Sequence, residues 1–106
     1  IQNSPLIILV SLDYSGLDSY KEKNKQDNEN MMAEHSLGAA LQNLMIALAA
    51  QGIGSVWRCA PLFCPEIARD ALQLPKKWIP RAMILAGFPK KKPTEKKSIK
   101  PRVLTR

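Results

Sequence analysis

Two thiols and a run of backbone N–H groups share the segment WRCAPLFCP, Trp57 to Pro65. A cysteine attacks as its thiolate, which needs a neighbouring base or cation to form. The only histidine, His35, lies far away in sequence. Cys59 and Cys64 therefore read as structural residues rather than as a nucleophile or redox pair. They are not spaced as CxxC, and no second cysteine pair completes a zinc site. His35, beside a helix start, reads as a surface or capping residue, because a metal site needs more His, Cys or carboxylate neighbours. No catalytic side chain and no metal ligand are assigned. The backbone carries the chemistry of this segment. It lies between a strand end and a helix start, where free N–H groups collect and can meet negative charge on a ligand. Cys59, Ala60 and Leu62 can donate there, whereas Pro61 has no N–H. The plainer reading of the same residues is a connecting loop with a packed Trp57 and Phe63.

The second locus is charge. The net charge is +7 from 16 Lys/Arg against 9 Asp/Glu. Residues 1–89 are balanced, and the excess sits in residues 90–106. That stretch holds Lys90, Lys91, Lys92, Lys96, Lys97, Lys100, Arg102 and Arg106 against Glu95 alone. Such a tail is either a solvated end or a seat for an anion, with phosphate ahead of nucleic acid. Aromatic residues make up 6 % of the chain and none lies in the tail, so stacking on single-stranded nucleic acid has no support there.

The elements that position these groups follow from hydrophobic pattern. Leu6 to Leu12 is a continuous apolar run between Pro5 and Asp13, and predicts a strand buried on both faces. Asp13 to Asn30 is polar and predicts a loop leading to a helix start. Met31 to Gln51 predicts one long helix, with Leu37, Leu41, Leu44, Met45 and Leu48 at i, i+3 and i+4 spacings and alanines between them. Gly52 ends it. A helix apolar on nearly all sides needs burial on nearly all sides, so it predicts a subunit interface. Gln42 and Asn43 on it then need hydrogen-bond partners. The apolar run is shorter than the roughly 20 residues of a membrane span. Strands are predicted over 53–57 and 81–87 and a helix over 65–74, begun by Pro65 and ended before Pro75. After Pro89 no apolar period remains, and the chain becomes an extended arm. The 106 residues suit one domain that buries roughly 60–65 % of its unfolded surface. No signal peptide is visible at the start, and free thiols suit a cytoplasmic protein.

The order and wording of residues 35–89, HSLGAALQNLMIALAAQGIGSVWRCAPLFCPEIARDALQLPKKWIPRAMILAGFP, resemble the second half of a flavin-dependent nitroreductase-family protein. The likeness is to the branch found alone or fused to coenzyme F420 glutamate ligases. Family members run to nearly twice this length, so the chain, which starts at Ile1 without a Met, reads as a fragment. The family's arginine-rich, serine-containing turn and a further Asn-containing segment have no counterpart in it. The resemblance implies an α+β fold, the C-terminal half of a nitroreductase domain at 1–89, followed by a basic arm at 90–106. It implies FMN as cofactor, held at Arg58, Cys59, Ala60, Pro61 and Leu62, with its phosphate met by Lys97, Lys100 or Arg102. It further implies hydride passed from NAD(P)H through the flavin to a nitro, quinone or related small-molecule acceptor, in a homodimer with neither nucleic acid nor membrane as partner. The cofactor carries such chemistry, so no acid or base side chain is required. The alternative is a dimeric fragment that binds a cofactor or nucleotide without turnover.

Overall fold

The computed structural model describes residues 3–106. Three strands form one antiparallel sheet: β1 (Leu6–Leu12), β2 (Gly54–Arg58) and β3 (Ile79–Gly87), in the spatial order β1-β3-β2. The last strand in sequence is thus the central one. A long helix, α1 (Lys23–Ala50), joins β1 to β2 after a 3-10 turn at Tyr14–Gly16. Two short helices, α2 (Ala60–Phe63) and α3 (Pro65–Ala71), link β2 to β3 and pack against β3.

The core lies between α1 and one face of the sheet. Residues directly opposite in an antiparallel ladder share a face. Ile8 pairs with Ile84 and Val10 with Ala82, while Trp57 pairs with Ile84 from the other side. On to this face α1 lays Leu37, Leu41, Leu44, Met45 and Leu48. Leu41, Ala82 and Ile84 are buried, Ile84 completely at 0 % exposure. The spacing of those five residues is the one the sequence predicts. Elsewhere on α1, Met31, Met32 and Ile46 are exposed.

The helix starts eight residues before its predicted beginning. Lys23 to Asn30 is helical, although its side chains are polar. No side chain caps it at Glu22. Gln26 fixes the entry instead. Its amide oxygen accepts from the Tyr20 N–H at 2.9 Å, and its NH2 donates to Asp18 C=O at 3.4 Å and Asn30 Oδ1 at 3.1 Å. The Lys23–Asp27 pair at 2.6 Å adds little, because it is exposed. The other end follows the sequence. Gly52 adopts φ +76°, its N–H donates to Ala49 C=O, and the Ile53 N–H donates to Leu48 C=O, each at 3.0 Å. This is the Schellman arrangement, which needs a left-handed residue after the helix.

Three further expectations are corrected. β1 is an edge strand with no buried residue, and Leu6 and Ile7 are exposed. An apolar run marks a strand, but its burial depends on what covers it, and here only one face meets α1. Gln42 and Asn43 are likewise exposed rather than buried, so solvent meets their amides. β3 begins at Ile79, ahead of the predicted start, and so contains Pro80. The ladder tolerates this proline because the register shifts there: Val10 pairs with Ala82 but Ser11 pairs with Pro80. A bulge is where a strand admits a residue that cannot donate. Arg81 is the extra residue.

Candidate active site

The candidate segment begins where β2 ends. Arg58, paired with Met83 of β3, is the last residue of the ladder on that side. Trp57 just before it is braced against α1, since a Cβ placed on Gly38 would lie 3.9 Å from the tip of its indole. The root of the segment is therefore held by both sheet and helix. The predicted loop then winds into one helical turn, α2, with Cys59 as its N-cap and Ala60 and Pro61 at its first positions. Proline suits that place because the N–H it lacks has no partner inside the helix.

Arg58, Cys59, Ala60, Pro61 and Leu62 thus form one continuous corner, but they do not offer equal surfaces. Arg58, Cys59, Ala60 and Leu62 are exposed, and Pro61 is buried. The Leu62 N–H is already used, donating to Cys59 C=O at 2.9 Å. Cys59 lies past the last ladder pair, and Ala60 stands at the first helical position, so helix geometry gives its N–H no intrahelical acceptor. Cys59 and Ala60 remain as the donors for a ligand. Beside them Leu62 and Phe63 expose 44 % and 84 % of their surface, an apolar ledge next to the N–H groups.

The two cysteines are free thiols. Cys64 Sγ donates to Ala60 C=O at 3.3 Å across α2, which fits the structural role. Among the described residues no three His, Cys, Asp or Glu side chains form a cluster suited to a metal ion. Lys97, Lys100 and Arg102 lie on an arm without regular structure and are exposed. Among the described residues no hydrogen bond or ion pair links them to the corner at 58–62.

Sequence reasoning missed a polar cluster at the same end of the sheet. Glu34 of α1 accepts two hydrogen bonds on one oxygen, from Arg81 Nε and from the Tyr14 hydroxyl, both at 2.7 Å. Arg81 Nη2 also reaches the Tyr14 oxygen at 3.4 Å. The bulge makes this possible by letting Arg81 reach α1 although its neighbour Ala82 already packs there. Burial raises the Tyr14 pKa above the ordinary tyrosine value, helped by the Glu34 carboxylate and opposed by Arg81. Burial opposes the Arg81 charge, but its bonds to Tyr14 and Glu34 outweigh that and raise its pKa. The cluster ties the turn after β1, the middle of α1 and the start of β3 together. Its members are up to 67 residues apart in sequence, so no local pattern signals it.

Residues 1–88 match the nitroreductase family. The chain belongs to the nitroreductase family. Solved structures agree with this on the fold. The nitroreductase CinD from Lactococcus lactis, in complex with chloramphenicol, is 24 % identical, with a TM-score of 0.71 over 89 % of this chain. A nitroreductase family protein from Clostridium difficile 630 is 27 % identical, with a TM-score of 0.60 over 90 % of this chain. In both cases the match covers 51 % of the solved chain, so this sequence spans about half the length of these relatives. The α+β arrangement described above is thus a nitroreductase fold. Among the described residues no helix is long and apolar enough to cross a membrane.

Proposed function

We propose that this chain is the C-terminal half of an FMN-dependent oxidoreductase domain, which takes hydride from NAD(P)H and reduces a nitro, quinone or related acceptor. One observation carries the reading. In a chain of this family, the N–H groups of Cys59 and Ala60 make no hydrogen bond among the described residues and lie beside the apolar ledge of Leu62 and Phe63. This donor set fits a flavin, whose ring is flat and apolar on its faces and gathers negative charge along one edge when reduced. FMN, when bound, supplies hydride acceptance and donation at its ring.

The residues of this chain hold and orient. Cys59 and Ala60 donate to the edge of the ring, Leu62 and Phe63 exclude water from it, and Arg58 adds positive charge at the rim. The arm supplies the phosphate contact through Lys97, Lys100 or Arg102, by charge-assisted hydrogen bonds. The exposed apolar surface of α1, including Met31, Met32 and Ile46, supports a homodimer in which a second subunit covers it. The exposed Cys59 thiol suits a reducing, cytoplasmic setting, and the wording of residues 35–89 favours the branch related to coenzyme F420 glutamate ligases.

The half-length match favours a second reading as well: a dimeric fragment that binds cofactor or nucleotide and does not turn over. A visible absorption spectrum separates the two. The protein is measured as isolated, and again after FMN addition and desalting. Retained flavin absorption, bleached by NADH or NADPH and restored by a nitroaromatic such as chloramphenicol, supports the enzyme. Retained flavin that neither nucleotide bleaches supports the binding fragment. No retained flavin in either sample overturns the claim that this chain holds FMN.

A further inference from the structure

We propose a second ligand site, for a phosphate-bearing nucleotide, at the opposite end of β2 from the flavin corner. A cavity of about 410 Å³ opens there, where β1 and β2 begin and β3 ends. Its volume falls in the range of small-molecule sites, roughly 300–1,000 Å³. The five residues of β2 separate it from Arg58 by about 13 Å at the usual rise per residue.

The floor is bare backbone. Gly54 and Gly87 face each other as the last pair of the β2–β3 ladder. Gly87 has no room for a side chain without a shift of its neighbours, whereas one at Gly54 would meet ordinary contacts. A Cβ on Gly87 would lie 2.9 Å from Pro5 Cδ, and one on Gly54 would lie 3.4 Å from the Gly87 carbonyl oxygen. Glycine inside a strand often marks a close approach by a ligand or by another part of the chain, and at Gly87 it is Pro5 that approaches. Proline walls on both sides, Pro5 against Gly87 and Pro89 against Gly54, keep that floor from moving.

Three kinds of group surround it, each suited to a different part of a nucleotide. Phe88 lines the cavity and is 77 % exposed, which offers a face for a base to stack on. Asn3 and Ser55 line it as well and offer both donors and acceptors, suited to ribose hydroxyls and base edges. Lys90 stands on the rim, followed at once by Lys91 and Lys92. Among the described residues none of these three lysines takes part in an ion pair, so their charge is available to a phosphate. The stacking surface, the polar groups and the Lys90 ammonium line one opening, and Lys91 and Lys92 follow Lys90 in sequence. A nucleobase on a ribose that carries a phosphate is the ligand chemistry that uses all three, and the tricyclic flavin ring on its open ribityl chain is not.

The site does not depend on the flavin reading, and its test keeps them apart. Fluorescent mant-ADP is titrated into the whole chain, with and without saturating FMN. We expect saturable binding in both conditions. Adenosine should compete far more weakly than ADP, and riboflavin should not compete. Phe88→Ala should weaken mant-ADP at least about fivefold, the lower end of what base–aromatic stacking supplies. Lys90→Gln, Lys91→Gln and Lys92→Gln together should weaken ADP while leaving adenosine unchanged. These side chains are exposed, so the variants keep the wild-type circular dichroism. Arg58→Ala, at the far end of β2, should leave mant-ADP binding unchanged. Displacement by FMN, or equal binding by wild type and Phe88→Ala, overturns the site, as does no saturable binding at all. Failure of the chain to retain FMN overturns only the flavin reading, since the mant-ADP titration without FMN still stands.

Discussion

Arg81 on the central strand and Glu34 on the long helix meet at 2.7 Å across 47 positions of sequence, the only ion pair among the described residues that links distant parts of the chain. Their side chains are 20 % and 35 % exposed, so the pair is partly screened. Arg81→Ala and Glu34→Ala should each lower stability by about 1–2 kcal/mol, and the double variant should lose less than the sum. Urea unfolding of the four proteins measures this. A coupling within error of zero would show that the contact is ornamental.

The sheet face under α1 has its centre at Ile84, which is fully buried. Ile84→Ala should cost about 2–5 kcal/mol, the range for truncating a large buried aliphatic residue. Ile67→Ala, on an exposed residue of α3, should cost under about 0.5 kcal/mol. Chemical denaturation followed by circular dichroism distinguishes them.

Gly87→Ala places a methyl group against Pro5, a ring that cannot swing away. The expected loss is about 1–3 kcal/mol, as for other overpacked sites. Pro5→Ala should recover part of it, because it removes the atoms that the methyl group meets. If the double variant is no more stable than Gly87→Ala alone, the close approach of these two residues is wrong.

Stability should fall at both ends of the pH scale, for different groups. Asp13 accepts from the Ser15 N–H at 2.8 Å, and hydrogen bonding to Ser15 lowers its pKa. It favours the fold above the ordinary aspartate range, and this is lost as pH falls below about 4. Tyr14 has its pKa raised by burial. Above about pH 10 the unfolded chain loses that proton before the folded one does, so stability falls as pH rises. Tyr14→Phe should flatten the alkaline limb and Asp13→Asn the acid limb in thermal melts across pH.

If the arm meets the FMN phosphate, replacing Lys97, Lys100 and Arg102 by alanine should weaken FMN by about tenfold or more. Riboflavin, which lacks the phosphate, should bind both proteins alike. Equal losses for both ligands would place the arm's effect elsewhere.

The order of strands and helices was legible because each major element carries its own period: Leu37 to Leu48 on α1, the apolar runs of β1 and β3, and Gly52 as a stop. What escaped local reading depends on distant partners. The helical turn at Lys23–Asn30 owes its entry to Gln26 bonding the preceding loop. The strand predicted over 81–87 reaches back through Pro80 only because the bulge gives that proline a place. The solvent exposure of β1, Gln42 and Asn43 follows from how little covers them, which no residue reports about itself. At the candidate site, Arg58 to Leu62 are contiguous in sequence and so stayed together, but only the coordinates separate Leu62, whose N–H is taken, from Cys59 and Ala60. The Tyr14–Glu34–Arg81 cluster has no local signature of any kind.

The strand order also sets a timetable for biosynthesis. β1 and β2 never pair with each other, since both pair only with β3. As these residues leave the ribosome, β1, α1 and β2 therefore emerge before the strand that joins them in this sheet, and the apolar stripe of α1 waits for β3 to complete the face it rests on. Every rung waits for residues 79–87. Until then two unpaired strands and a long apolar helix are open to other chains, the state in which nascent proteins aggregate or need a chaperone. A stalled or truncated product ending before Ile79 would be held in that state for good.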